Sequence, residues 1–264
     1  MQNIALPKKI EFKAGDTSGE GQIIIEPLYS GYGMTLGNSL RRVLLSSLPG
    51  AAVIGVKIKG VSHEFMALPG LKEDILEVIL NLKQLRLKMF TEEEVTLTLK
   101  AKGQGTITAA DIEKNSDVEI TNPELVIATL TEASASIEME ILVKEGRGYK
   151  MSEGGKRDNE IGYIEIDSIF SPVLSVSIDV ESARVGKMTN WDKLVLNIKT
   201  DKTITPEEAV EQSVKILVDQ FSALLPGALV AAPAPVAEEI TEEAIEEEEV
   251  EAEEVKPAKK KAKK

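Results

Sequence analysis

The sequence predicts an α+β protein built mainly of antiparallel strands. Short β-branched or alternating runs outnumber helical ones and mostly follow one another directly, whereas a doubly wound parallel sheet needs strands and helices to alternate. Only three stretches repeat their apolar residues at helical spacing. Gly, Pro, Asn and Asp separate the runs, as they do between strands.

The first predicted helix spans 35–47 and follows the glycine-rich stretch "GYGMTLGNSLRR" (31–42). Leu36, Leu40, Val43, Leu44 and Leu48 form its apolar face, and Pro49-Gly50 closes it. Gly31 and Gly33 permit a tight bend, and Gly37 lets another backbone approach the helix. Arg41 and Arg42 are adjacent, so their directions differ by about 100° around the axis. One is therefore expected near the buried flank and the other further out. A second helix is predicted in "KEDILEVILNLKQL" (72–85).

Strands are read in "GQIIIEPL", "AVIGVKIKGV", "VTLTLKAKG", "DVEITNP", "ASIEMEILVKEG", "IGYIEID", "PVLSVSIDVESARV" and "DKLVLNIKT". The basic, glycine-containing "EGRGYK" (145–150) reads as a turn between strands. The third helix, 206–225, has the clearest ends. Thr205 is the predicted N-cap, Pro206 takes the first helical position, Glu208 completes a capping box and Pro226-Gly227 stops the run. Val210, Val214, Leu217, Phe221 and Leu224 alternate four and three residues apart. That is a narrow seam of coiled-coil type, suited to a helical partner, though a helix lying on its own sheet shows the same spacing.

From about Ala231 the chain changes character: an Ala/Pro hinge precedes a Glu block and a Lys block. Like-charge blocks cannot bury a core, so 231–264 is expected to be a disordered tail. From Val236 onward eleven Glu and six Lys give −5 of the net −13 and leave −8 for the body. A moderately acidic body is poorly placed to grip nucleic acid, which depends on neutralising phosphates. Hydrophobic residues make up 42% of the 264 residues and aromatics only 4%, so the core must rely on Leu, Ile and Val. There is no cysteine, which excludes disulfides, thiolate nucleophiles and cysteine metal sites. With no apolar run long enough for a signal peptide or a membrane span, a cytoplasmic protein is expected.

The motifs that invite a catalytic reading weaken on inspection. A dinucleotide fingerprint needs its glycines in the turn directly after a strand, within a βαβ unit. Here Gly31 comes four positions after Pro27, the spacing is GxGxxxG, and the next strand ends "VKIKG" without an acid for a ribose. No GK[ST] follows, so a P-loop is excluded. The sole histidine, His63, stands beside Glu64, with no second ligand or nucleophile to partner it. The pairs Glu73/Asp74 and Glu207/Glu208 lie in helical first turns, where the dipole accounts for them. Asp158-Asn159-Glu160, next to "GGKR", is a weak metal candidate. No acid–base constellation emerges.

A different likeness then stands out. "EPLYSGYGMTLGNSLRRVLLSSLPGAAVIGVKIKGVSHEF" resembles the N-terminal signature of the bacterial RNA polymerase alpha subunit family. The likeness continues in order through "EDILEVILNLKQL", "ITAADI", "GRGY", "SPV", "ESARVGKMTNWDKLVL" and "ITPEEAV", from about residue 4 to 227. It implies a dimerisation subdomain made of 1–49 and 168–230, an antiparallel sheet with two long helices. It further implies an inserted, mainly β subdomain at 50–167.

The resemblance implies a homodimer that serves as an assembly platform for the two large catalytic polymerase subunits. This chain would carry no catalytic residues, cofactor or metal, and would be an enzyme only as part of that nucleotidyltransferase. Leu36, Leu40 and Leu44 of the first helix, with Val210, Val214, Leu217, Phe221 and Leu224 of the last, would form the isologous contact. Arg42, with Asn38 and Arg41 nearby, would face a large subunit. The family usually continues into a C-terminal DNA-binding domain. Here the Glu/Lys tail stands in its place, so DNA contact is expected to be indirect, or weak through the tail. Two other readings compete: a nucleotide-binding oxidoreductase using the Gly31–Gly37 loop, and a dimeric scaffold unrelated to transcription.

Overall fold

The computed structural model describes residues 4–15, 17–152, 162–186 and 188–225. The predicted tail at 231–264, residues 226–230 and the metal candidate Asp158-Asn159-Glu160 lie outside them. The described residues up to Asp219 form one unit, and Gln220–Leu225 belong to a second.

In chain order, β1 (Lys9–Ala14) and β2 (Glu20–Leu28) lead into α1 (Tyr32–Ser46), and β3 (Pro49–Ile58) leaves it. There follow α2 (Ile75–Leu82), β4 (Leu87–Met89), β5 (Val95–Lys102), β6 (Gly105–Thr108), β7 (Val118–Ile120) and β8 (Val126–Leu130). Next come β9 (Ser136–Arg147), β10 (Tyr149–Lys150), β11 (Tyr163–Glu165) and β12 (Ser168–Ile169). The long strands β13 (Val173–Val185) and β14 (Met188–Thr200) precede α3 (Pro206–Ala223). The fold is α+β with antiparallel pairing throughout.

One sheet runs β1-β2-β14-β13, so a strand from the start of the chain sits beside one from its end. Register brings Ile23 opposite Leu196 and Ile25 opposite Leu194. All four are buried and pack with Leu40, Leu44 and Leu48 of the α1 segment and Ala209 and Val210 of α3. On the opposite face Lys9, Glu26, Lys193 and Glu181 alternate in sign across the strands. Such exposed pairs add little stability. The second large sheet runs β5-β9-β3-β4-β7, with β11 on β3. Its apolar residues form a separate cluster with α2, including Val56, Ile75, Val78, Leu82, Leu99 and Ile141.

The helices differ from expectation at their ends. α1 starts three residues early, at Tyr32 rather than Thr35, because its cap comes from a distant residue. α2 starts at Ile75 rather than Lys72. The Lys72 N–H donates to the Thr129 carbonyl at 3.0 Å, and Glu73 accepts from the Thr129 N–H at 2.7 Å. That stretch is thus tied to β8 and cannot continue the helix. α3 begins as predicted. The Thr205 N–H donates to Glu208 Oε2 at 3.0 Å, and the Glu208 N–H donates back to Thr205 Oγ1 at 3.2 Å.

Candidate protein-binding site

Gly31 ends the approach to α1 in a left-handed conformation, φ +86°, which a side chain would strain. It brings no capping side chain, and the first turn holds no acid. The missing cap is supplied by Asp192 on β14. Its Oδ2 accepts hydrogen bonds from the Gly31 N–H at 2.8 Å and the Gly33 N–H at 3.1 Å. The amides that would hold a phosphate in a nucleotide loop are therefore engaged by the protein's own carboxylate.

The remaining glycines seat the helix. A Cβ on Gly33 would come within 2.9 Å of Val180 Cγ1, and one on Gly37 within 3.0 Å of both Ile178 and Leu194. The close neighbours are side chains of β13 and β14 rather than the backbone anticipated from sequence. With Gly33, Gly37, Leu40 and Leu44 turned to the sheet, the opposite side of α1 presents Thr35, Asn38 and Arg42. Arg41 stands at the edge of that face, and both arginines are exposed. Among the described residues, neither guanidinium has an ion-pair or hydrogen-bond partner. No acidic residue occurs within α1. Ten guanidinium N–H donors thus face outward in a rigid frame.

The predicted dimer residues divide between core and surface. Leu40, Leu44 and Val210 are 6%, 0% and 6% exposed and sit inside the protomer's own core. Enclosed in this way, their side chains leave little area for a partner in the protomer as it stands. Leu217 is half-buried against the same cluster. Leu36 is partly exposed, and Val214, Phe221 and Leu224 are open to solvent. α3 meets the sheet through Ala209, Val210 and Ser213, which turns the face carrying Val214 and Val218 outward. Ala209 and Ser213 were missed in the sequence because small residues carry little apolar signal, and Val218 because it lies outside the four-three repeat.

Other candidates have structural uses. His63 is an exposed loop residue. Glu73 and Glu208 hold backbone amides, as described above. "EGRGYK" is more than a turn: Gly148, at φ +66°, passes the chain from β9 to β10, which pairs with β12. Just beyond, the Ser152 N–H and hydroxyl each donate to Asp167 Oδ1 at 2.8 Å, and Lys83 Nζ stands 3.5 Å from Oδ2. The Ser152 N–H above all, then its hydroxyl, holds the Asp167 carboxyl at about 2. Tyr149 is pushed up, mainly by desolvation and then by the Asp167 charge. Among the described residues there is no cluster of three or more His, Asp or Glu able to hold a metal. Nor is any helix there long and apolar enough to cross a membrane.

The fold and site describe an α+β protein that offers an arginine-bearing helix where a nucleotide loop was conceivable. Residues 56–171 match the family model described as the RNA polymerase Rpb3/RpoA insert domain. The chain is 51% identical over 208 residues to the DNA-directed RNA polymerase subunit alpha of Maridesulfovibrio salexigens, covering 78% of this chain and 59% of that protein. It is 48% identical over 223 residues to the protein of the same name from Bacillus velezensis, covering 84% of this chain and 71% of that one. This chain belongs to the family of bacterial RNA polymerase alpha subunits.

Proposed function

We propose that this chain is a non-catalytic, homodimeric platform on which the two large catalytic subunits of a bacterial DNA-directed RNA polymerase assemble. The observation that carries the reading is the outward face of α1, where Arg41 and Arg42 stand exposed, without acidic partners among the described residues, on an anchored helix. Arginine suits such a contact because its planar fork satisfies several acceptors as it is desolvated. The matched relatives bear the name of the polymerase subunit, and the chain spans 59% and 71% of their lengths.

The two apolar clusters support a division into a dimerisation subdomain (1–49 with 168–230) and an inserted subdomain (50–167). The exposure of Val214 on α3 and of Leu36 on α1, and separately that of Phe221 and Leu224, supports a two-fold contact made through these residues. Nucleotidyl transfer, and the metal it needs, would belong to the large partners. A nucleotide-binding role for the Gly31–Gly37 loop has no support in the geometry, since Asp192 already holds its amides.

Light scattering on the purified chain, followed by pull-down of the two large subunits from the same genome, tests the proposal. A dimer that captures a large subunit is expected. A monomer, or a dimer that captures neither, would sink it.

A further inference from the structure

We propose that Asp192 is the positioning residue for the α1 binding face, acting on a large subunit through Arg42 without touching it. The inference rests on the platform reading above.

At the start of α1 the Tyr32 N–H donates to the Tyr29 carbonyl at 2.9 Å, but no local side chain caps the free amides. Its N-cap residue is glycine, its first turn lacks an acid, and no Ser, Thr, Asn or Asp stands at the cap. Both side-chain hydrogen bonds at that end converge on one oxygen of Asp192, a residue 161 positions away from Gly31. Its negative charge also faces the positive end of the helix dipole. Asp192 is only half-buried, and its carboxylate sits close under Gly33, where an added Cβ would come within 3.1 Å of Asp192 Cβ. The contact therefore fixes both the axial position and the rotation of the first turn on β14. Rotation matters here because a slip of one residue turns a helix by about 100°. That is enough to swing Asn38 and Arg42 from the outward face to a flank.

The two hydrogen bonds share one acceptor, so an amide oxygen can serve both while a methyl group serves neither. Asp192→Ala should weaken large-subunit capture about tenfold, the change that loss of a helix cap allows. Asp192→Asn should restore capture to within about threefold of the natural chain. Hydrogen exchange should speed up at the first turn of α1 in Asp192→Ala and stay unchanged in β9.

A double-mutant cycle with Arg42→Ala separates positioning from general destabilisation. If Asp192 works through Arg42, adding Asp192→Ala to Arg42→Ala weakens capture no further. Undiminished capture by Asp192→Ala, or losses that simply add, would overturn the inference and leave the platform reading intact. Failure of the natural chain to capture a large subunit would overturn both.

Discussion

Arg42 shows how much depends on a single side chain when its neighbours are already committed. Leu40 and Leu44 hold the helix down, and Arg42 projects from the other side with no acid among the described residues to neutralise it. Arg42→Ala should leave the dimer mass and thermal midpoint unchanged while large-subunit capture falls. Truncating a charged group that becomes buried in an interface costs on the order of 2–5 kcal/mol. Retained capture in a quantitative pull-down would remove Arg42 from the site. Asp167 makes a prediction about acid instead. Its carboxyl lies at about 2 against an ordinary 3.8, so ionisation favours the folded chain. That contribution is complete above pH 4 or so and is lost as the pH falls toward 2. Its side chain is 35% exposed, and solvent screening reduces the effect. The urea midpoint should therefore drop between about pH 4 and 2, and Asp167→Asn should flatten that drop.

At the scale of elements, α3 was legible at its start and misleading along its length. The capping box of Thr205 and Glu208 is a local device, and local devices can be read from sequence. Thr205→Ala should cost about 1 kcal/mol in chemical denaturation. Which flank of the helix meets the sheet is decided by packing, and there Ala209 and Ser213 prevail because they let the backbone come close. The apolar repeat therefore straddles core and surface. For Val214→Glu or Phe221→Glu the dimer should fail with little loss of protomer stability, which light scattering and a melting curve can check together. An unchanged mass would exclude α3 from the two-fold contact. β1 was not read as a strand because it is a charged edge strand whose identity comes from pairing with β2. The cap of α1 was equally invisible, since nothing in 31–42 points to residue 192.

The whole molecule holds two separate apolar clusters, and mutations should sort by cluster. Leu99 is fully buried among the strands of the second sheet and α2. Leu99→Ala should lower stability by about 2–5 kcal/mol while dimerisation survives. Leu44 is equally buried, but beneath the arginine face. Leu44→Ala should cost a similar amount and weaken capture as well, because the helix above the cavity loses its seat. Equal effects of the two variants on capture would argue against the separation.

The bond from Asp192 to Gly31 also sets an order of events during synthesis. The ribosome delivers the arginine helix early, yet its cap lies 161 residues further along the chain. β2 must wait just as long for β14. At about 5–20 residues per second, the interval is on the order of ten to thirty seconds. Through that time a nascent chain carries the arginines without the frame that aims them. On the platform reading proposed above, the binding face is complete only once β14 has joined β2, so capture of a large subunit has to wait until Asp192 has been made.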